Sequence, residues 1–189
     1  TPKFAFLETP AWPEADIGAK NAIETAVTSL SSACQRESLP DPFSKIIDYH
    51  AAVFAAENSH YYGPFLDNHS ELLSEKLRDR LIVSKTTLAS EYIAALNARD
   101  KIYHSLEALL DDYDAVLCLA ATGAAPIGFE TTGSAIFNGL WTYLGVPCLS
   151  LPLLTTEKMP LGLQLVGKRG DERKLFETAN WIENRLKAS

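Results

Sequence analysis

Few residues in this chain are placed to do chemistry by themselves. Ser31 and Ser32 form the one adjacent serine pair, late on an amphipathic stretch with no glycine beside them. A reactive serine needs an exposed elbow and nearby backbone N–H donors for an oxyanion. These two therefore read as the polar side of a helix. Ser134, in Gly133-Ser134-Ala135, follows a glycine-bearing loop, but no Gly-x-Ser-x-Gly surrounds it and no base pairs with it. It reads as a helix N-cap. His50, His60, His69 and His104 contain no i, i+4 pair and no His-Glu-x-x-His, so they supply neither a metal site nor an evident general base. Asp111, Asp112 and Asp114 cluster before an apolar run, which reads as a solvated helix end rather than a cation site. Gly167-Lys168-Arg169-Gly170 precedes a helix and offers an anion site in principle; it reads as a surface turn, and Arg169-Gly170-Asp171 as a chance tripeptide. Cys34, Cys118 and Cys148 include no Cys-x-x-Cys pair, which excludes a disulfide framework and a zinc knuckle. Cys118 and Cys148 lie in apolar runs and read as small core residues. No catalytic residue, metal or cofactor is expected from these residues.

The elements that would position a site follow from periodicity. Phe4 to Leu7 is a short apolar run ended by Glu8-Thr9-Pro10, the pattern of a buried strand. Asp16 is placed to cap a helix whose core face carries Ile23, Ala26, Val27, Leu30 and Cys34. Between Asp41 and Asp112 the pattern is helical. Ile46, Ile47, Ala51 and Phe54 mark one helix, expected to stop near Gly63-Pro64. Leu72, Leu73, Leu77 and Leu81 mark a second, and a third runs from about Thr87 to Leu110 with Leu88, Tyr92, Ala95 and Leu106 on one face. Residues 41–112 are expected to form a helical layer or insertion within one domain. Ala115 to Ala121 is a continuous apolar run, as in a strand covered on both faces. A short helix over 134–144 is stopped by Gly145 and Pro147. Cys148 to Leu154 and Leu161 to Val166 predict an antiparallel hairpin, and Asp171 a final helix with Leu175, Ala179, Ile182 and Leu186 inward. Strand, helix and strand in this alternation indicate an α/β fold.

The positive signal is the loop after the buried strand. Residues 122–133 hold three glycines and a proline, and ligands collect at strand ends in open α/β sheets. Phe129 and Thr132 lie on this loop and Trp141 on the helix after it, the mix of aromatic and small polar groups that a small-molecule pocket needs. The composition excludes other classes. The chain has 189 residues, 47% of them apolar, with 17 basic against 24 acidic residues and a net charge of −7. Without a Lys/Arg stripe it is a poor partner for nucleic acid or an anionic membrane. No apolar run reaches spanning length, and the scattered cysteines point to the cytoplasm.

From Asp114 onward the sequence resembles the end of an amidase signature family enzyme. The resemblance is carried by residues 114–126, Thr132-Gly133, Phe137-Asn138, Trp141-Thr142, Gly145-Val-Pro147, Ser150-Leu-Pro152 and Met159-Pro-Leu-Gly-Leu-Gln-Leu-Val-Gly167. The short strand followed by Thr9-Pro10-Ala-Trp12 and Ala15-Asp16 before a helix also fits, and the resemblance is weak through the helical middle. The resemblance implies the C-terminal part of an amidase signature α/β/α fold, with a mixed sheet and a helical layer. It also implies an amide C–N hydrolase or an amidotransferase component of the same fold. Such enzymes use a Ser-cis-Ser-Lys triad in which a lysine activates a nucleophilic serine through a second serine. The triad and its Gly/Ser-rich segment are expected upstream of Thr1, so this chain alone is expected to be inactive and to pair with a catalytic half. By the same resemblance Phe129, Thr132, Gly133, Trp141 and Thr142 would face a small-molecule amide substrate, while Asn138, Gly145, Pro147, Gly162 and Gln164 read as structural. The alternative is a non-catalytic binding or assembly module of the same fold. A halved domain is also expected to expose apolar surface along a cut sheet edge and to self-associate.

Overall fold

A computed structural model describes residues 1–187 of the chain. Five strands form one mixed sheet in the order β2-β1-β3-β5-β4. The strands are β1 (Phe4–Leu7), β2 (Cys34–Glu37), β3 (Ala115–Leu119), β4 (Cys148–Thr156) and β5 (Met159–Val166). β2 and β3 flank β1 in parallel, whereas β5 runs antiparallel to both β3 and β4. The helices α1 (Ile17–Leu30) and α6 (Glu172–Lys187) cover one face. On the other lie α2 (Ile46–Asn68), α4 (Ala89–Leu109) and α5 (Ile136–Leu144), with α3 (Glu75–Ser84) outside α2.

Side chains alternate across a strand, and here both sides are apolar because both faces are covered. Phe4 and Phe6 join Ala115, Leu117, Leu119, Leu163 and Leu165 in the core under α1 and α6. Ala5 and Leu7 join Val116, Cys118 and Val166 in the core under α4 and α5. Each fully buried Phe or Leu contributes about 2 kcal/mol by its transfer from water. The continuous apolar runs in β1 and β3 thus mark strands sandwiched between layers.

Local signals explain most boundaries. The Asp16 carboxylate accepts the Ala19 N–H at 2.6 Å and starts α1, satisfying one of the helix's orphan donors. Helix α1 does not carry on to Cys34. Ser31, at φ 52°, turns the chain out of the helix, and Cys34 opens β2 opposite Phe4. Its i+4 distance from Leu30 fitted the helical period, but the side chain packs from a strand. Helix α2 also departs from expectation, running through Gly63-Pro64 to Asn68. The proline removes the donor for the His60 carbonyl, but His60 is exposed there and water can serve that group. Leu88 is 61% exposed at the start of α4 and does not share the buried face of Ala95, Ile102 and Leu106.

The predicted hairpin is β4–β5, closed by Glu157 and Lys158, both at positive φ as a tight type I′-like turn requires. Pro152 and a register shift between Leu151 and Leu154 interrupt β4, the strand at one edge of the sheet. Both devices weaken an edge as a template for further pairing. The β4 edge is therefore blunted, and exposed large apolar side chains include Ile17 at the start of α1, Tyr61 and Phe65 on α2, Ile127 and Phe129 on the loop after β3, Met159 in β5 and Phe176 on α6. No helix of the described residues is long and apolar enough to cross a membrane.

Candidate functional site

The loop after β3 is rooted between three elements. The Asp16 N–H at the start of α1 donates to the Thr122 carbonyl at 2.8 Å. Gly123 lies directly on the Asp16 carboxylate, since a Cβ there would fall 1.7 Å from Oδ2. On the other side, the Ala120 N–H donates to the Gly162 carbonyl at 3.2 Å. A Cβ on Gly162 would fall 2.8 Å from the Ala120 methyl and 2.2 Å from the Ser150 hydroxyl. A larger residue at Gly162 would have to displace Ala120, and one at Gly123 would have to displace the Asp16 carboxylate from its place on the α1 cap.

Beneath the root runs a short polar chain inside apolar surroundings. Buried Gln164 sits opposite Cys118 in the β3–β5 ladder, and the Cys118 thiol donates to its Oε1 at 3.4 Å. Gln164 Nε2 donates to Asn138 Oδ1 at 2.8 Å, and Asn138 Nδ2 donates to the Ala120 carbonyl at 3.2 Å. The amide side chain of Gln164 thus has both ends satisfied, and α5 is tied to the last residue before the loop. Burial pushes the Cys118 thiol far above its ordinary range, which makes it an inert core group.

Above the root is a depression of about 210 Å³ lined by residues 121–126, Thr132, Gly133, Ser134 and residues 160–162. Among the described residues, no backbone N–H from Ala121 to Thr132 has a hydrogen-bond partner within the chain. Peptide groups of this kind must find water or a partner. Thr131 Oγ1 accepts the Gly133 N–H at 3.1 Å, and Ser134 Oγ accepts the Ile136 N–H at 3.3 Å. Ser134 caps the start of α5 in this sense, one residue before the cap position at Ala135, and has no titratable side chain as a partner.

The five residues expected to face substrate are not all brought together. Thr132 and Gly133 line the depression. Phe129 stands wholly in solvent beside Ile127, both about as exposed as an isolated residue at 105%. Thr142 is exposed on α5 and donates its hydroxyl to the Asn138 carbonyl at 3.1 Å. Trp141 lies in the core instead, 1% exposed, with its ring 6.4 Å from that of Phe43. Helix α5 is apolar over most of its circumference, and the side of Trp141 turns to α2 and the sheet. What the sequence hid was the Gln164–Asn138 pairing, whose partners are 26 residues apart on different elements. The basic turn before α6 is also spent internally. Lys168 pairs with Asp111, and Arg169 donates to the Leu144 carbonyl while stacking 3.9 Å over Tyr103. Asp114 accepts the Lys3 N–H and pairs with Lys174. Among the described residues no group of acidic, histidine or cysteine side chains could hold a metal ion.

Comparison with known proteins finds the same fold. The chain superposes on a crystal structure of an amidase with a TM-score of 0.86 at 23% identity, covering 98% of this chain and 46% of that one. A bacterial aryl acylamidase described as belonging to the amidase signature enzymes gives 0.76 at 13% identity, over 97% and 44%. In sequence, the A-type subunit of glutamyl-tRNA(Gln) amidotransferase from a Nitratiruptor species is 30% identical over 145 residues, 71% of this chain and 33% of the relative. The chain carries the C-terminal part of the amidase signature fold. No family model matches it. It spans less than half the length of these amidase signature proteins. The helices α2–α4, on which the sequence motifs are silent, fall within the superposed region of the first structure.

Proposed function

We propose that this chain is the C-terminal part of an amide C–N hydrolase, supplying sheet core and one wall of the acyl pocket. The supporting observation is the loop at the C-terminal end of β3. Family-like residues Gly162, Gln164 and Asn138 fix its root, and its own peptide groups are left open above a small depression. On this reading Thr132 and Gly133 meet the substrate directly. Phe129 and Thr142 meet it or the catalytic part once that part is in place, and Trp141 supports α5 from beneath. Residues 1–189 would form the C-terminal portion of one amidase domain with 41–112 as a layer within it.

The partner we propose is a segment or chain bearing a Ser-cis-Ser-Lys triad, which packs over Ile17, Ile127 and Phe129; self-association through the same surface would occur without it. The setting would be cytoplasmic. The test compares hydrolysis of simple amides by the natural gene product with hydrolysis by the 189-residue chain. Activity in a product about twice this length or more, with none in the chain alone, is the expected result. A natural product of this length, monomeric and inactive, would sink the proposal and favour the binding-module alternative.

A further inference from the structure

Apart from the loop after β3, we infer that a second depression, between α2 and α4, binds a small organic cation of the alkylated ammonium class against aromatic rings. It measures about 400 Å³, a volume within the range of small-molecule sites. Its lining is Ala56, Glu57, His60 and Tyr61 from α2 and Tyr92 from α4. No residue of the β3 loop borders it, so the inference does not depend on the amide-site reading.

Residues three and four apart share one side of a helix. Glu57 therefore stands one turn from His60 and Tyr61 and lines the same space as their rings. The imidazole and the Tyr61 ring lie 5.0 Å apart between centroids with 72° between their planes, so they form two walls close to perpendicular. Tyr92 closes in from the other helix, and Ala56 adds a small apolar surface. Tyr61 is 68% exposed, so its ring is not spent on the core. An alkylated ammonium carries its charge on an apolar shell, which aromatic faces attract through their quadrupoles.

The charge on the lining selects for a cation. Glu57 is its one carboxylate, and neither lysine nor arginine lines the space. Among the described residues Glu57 has no ion-pair partner. Lys85, which approaches α2 at Gly63, is paired with Asp67. An anion would meet a like charge here with no cation to offset it. A neutral ligand would gain from the ring surface alone, without the attraction to the quadrupoles or to Glu57.

The test is an amide-resolved NMR titration of the full 189-residue chain with choline and, separately, with its tert-butyl analogue, in which carbon replaces the charged nitrogen. Choline is expected to shift the amides of residues 56–61 and of Tyr92, and to bind about fivefold more tightly than the neutral analogue. Tyr61→Leu should remove most of that preference and Tyr61→Phe should keep it, because the ring and not the hydroxyl attracts the charge. Glu57→Gln should weaken choline binding about threefold. His60→Phe should leave it as tight or tighter, since a ring face remains. Equal binding of the two compounds would overturn the inference, as would loss of the preference in Tyr61→Phe. Absence of shifts at these residues with choline at tens of millimolar would do the same.

Discussion

Replacing Gly162 by alanine tests whether the loop root is set by steric closeness. The new methyl group would sit 2.8 Å from the Ala120 methyl and 2.2 Å from Ser150 Oγ. Ordinary carbon contacts lie at about 3.5–4.0 Å, so the overlap with Ala120 is on the order of 1 Å. The Ser150 hydroxyl can rotate away. The Ala120 methyl cannot, because Leu119 opposite Leu163 and the Ala120–Gly162 hydrogen bond fix the register on both sides. Forcing a methyl into such a contact costs about 1–3 kcal/mol, and the lost freedom of glycine in the unfolded chain returns about 0.5–1 kcal/mol. The net destabilisation is about 1–2 kcal/mol, which lowers Tm by roughly 2–8 °C for a chain of this size. Thermal unfolding followed by circular dichroism measures it, and the amide resonance of Ala120 reports the displacement at its source. Adding Ser150→Ala should recover only a minor part of the loss. A Gly162→Ala protein as stable as the parent would refute the reasoning, as would full rescue by Ser150→Ala.

Other consequences can be checked on the same protein. Thr9 is 2% exposed and its hydroxyl has no hydrogen-bond partner, so Thr9→Val should leave stability unchanged or raise it by about 1 kcal/mol, read by urea unfolding. Arg169→Lys keeps the charge but loses the fork that holds the Leu144 carbonyl and the stacking on Tyr103. A loss of about 1–2 kcal/mol is expected in the same assay, because lysine cannot reproduce a planar fork. The carboxyl of Asp114 is pushed up by partial burial, but the Lys3 N–H and Lys174 outweigh this and hold it below its ordinary value of 3.8. The unfolded chain therefore binds this proton more readily, and the stabilisation is complete above the ordinary carboxylate range and lost as pH falls through the lowered value. Asp114→Asn should flatten the acid limb of a stability–pH curve below pH 3.8. Burial also raises the Cys34 thiol to about 11 and the Cys148 thiol to about 12, so a thiol reagent at about pH 8 should react fast only with unfolded protein.

Much of the fold was legible because it depends on patterns local in sequence. The unbroken apolar runs of β1 and β3 announced a sheet covered on both faces, and the i, i+3, i+4 spacing of α1 and α6 announced the outer layer. β2 was hidden because Cys-Gln-Arg-Glu has one buried side chain and lies on an edge, where strand composition is weakly constrained. Trp141 misled because a short helix apolar nearly all round does not reveal which side meets the core. At the candidate site the loop was visible from its glycines and its place after a buried strand. Its support was not, because Gln164, Asn138 and Ala120 meet only when the sheet and α5 are assembled.

The place of β1 in the sheet also has a consequence in time. It pairs on one side with β2, which follows after a single helix, and on the other with β3, whose Ala115 aligns with Phe4. At synthesis rates of roughly 5–20 residues per second, that second neighbour reaches the ribosome exit about 5–20 seconds after β1. During this interval Phe-Ala-Phe-Leu has only one hydrogen-bonded flank, and the core residues that β3 brings to both faces are still missing. Until then this part of the nascent chain is exposed to aggregation, and a chaperone that shields β1, α1 and β2 would raise its folding yield more than one acting on the later strands β3, β4 and β5.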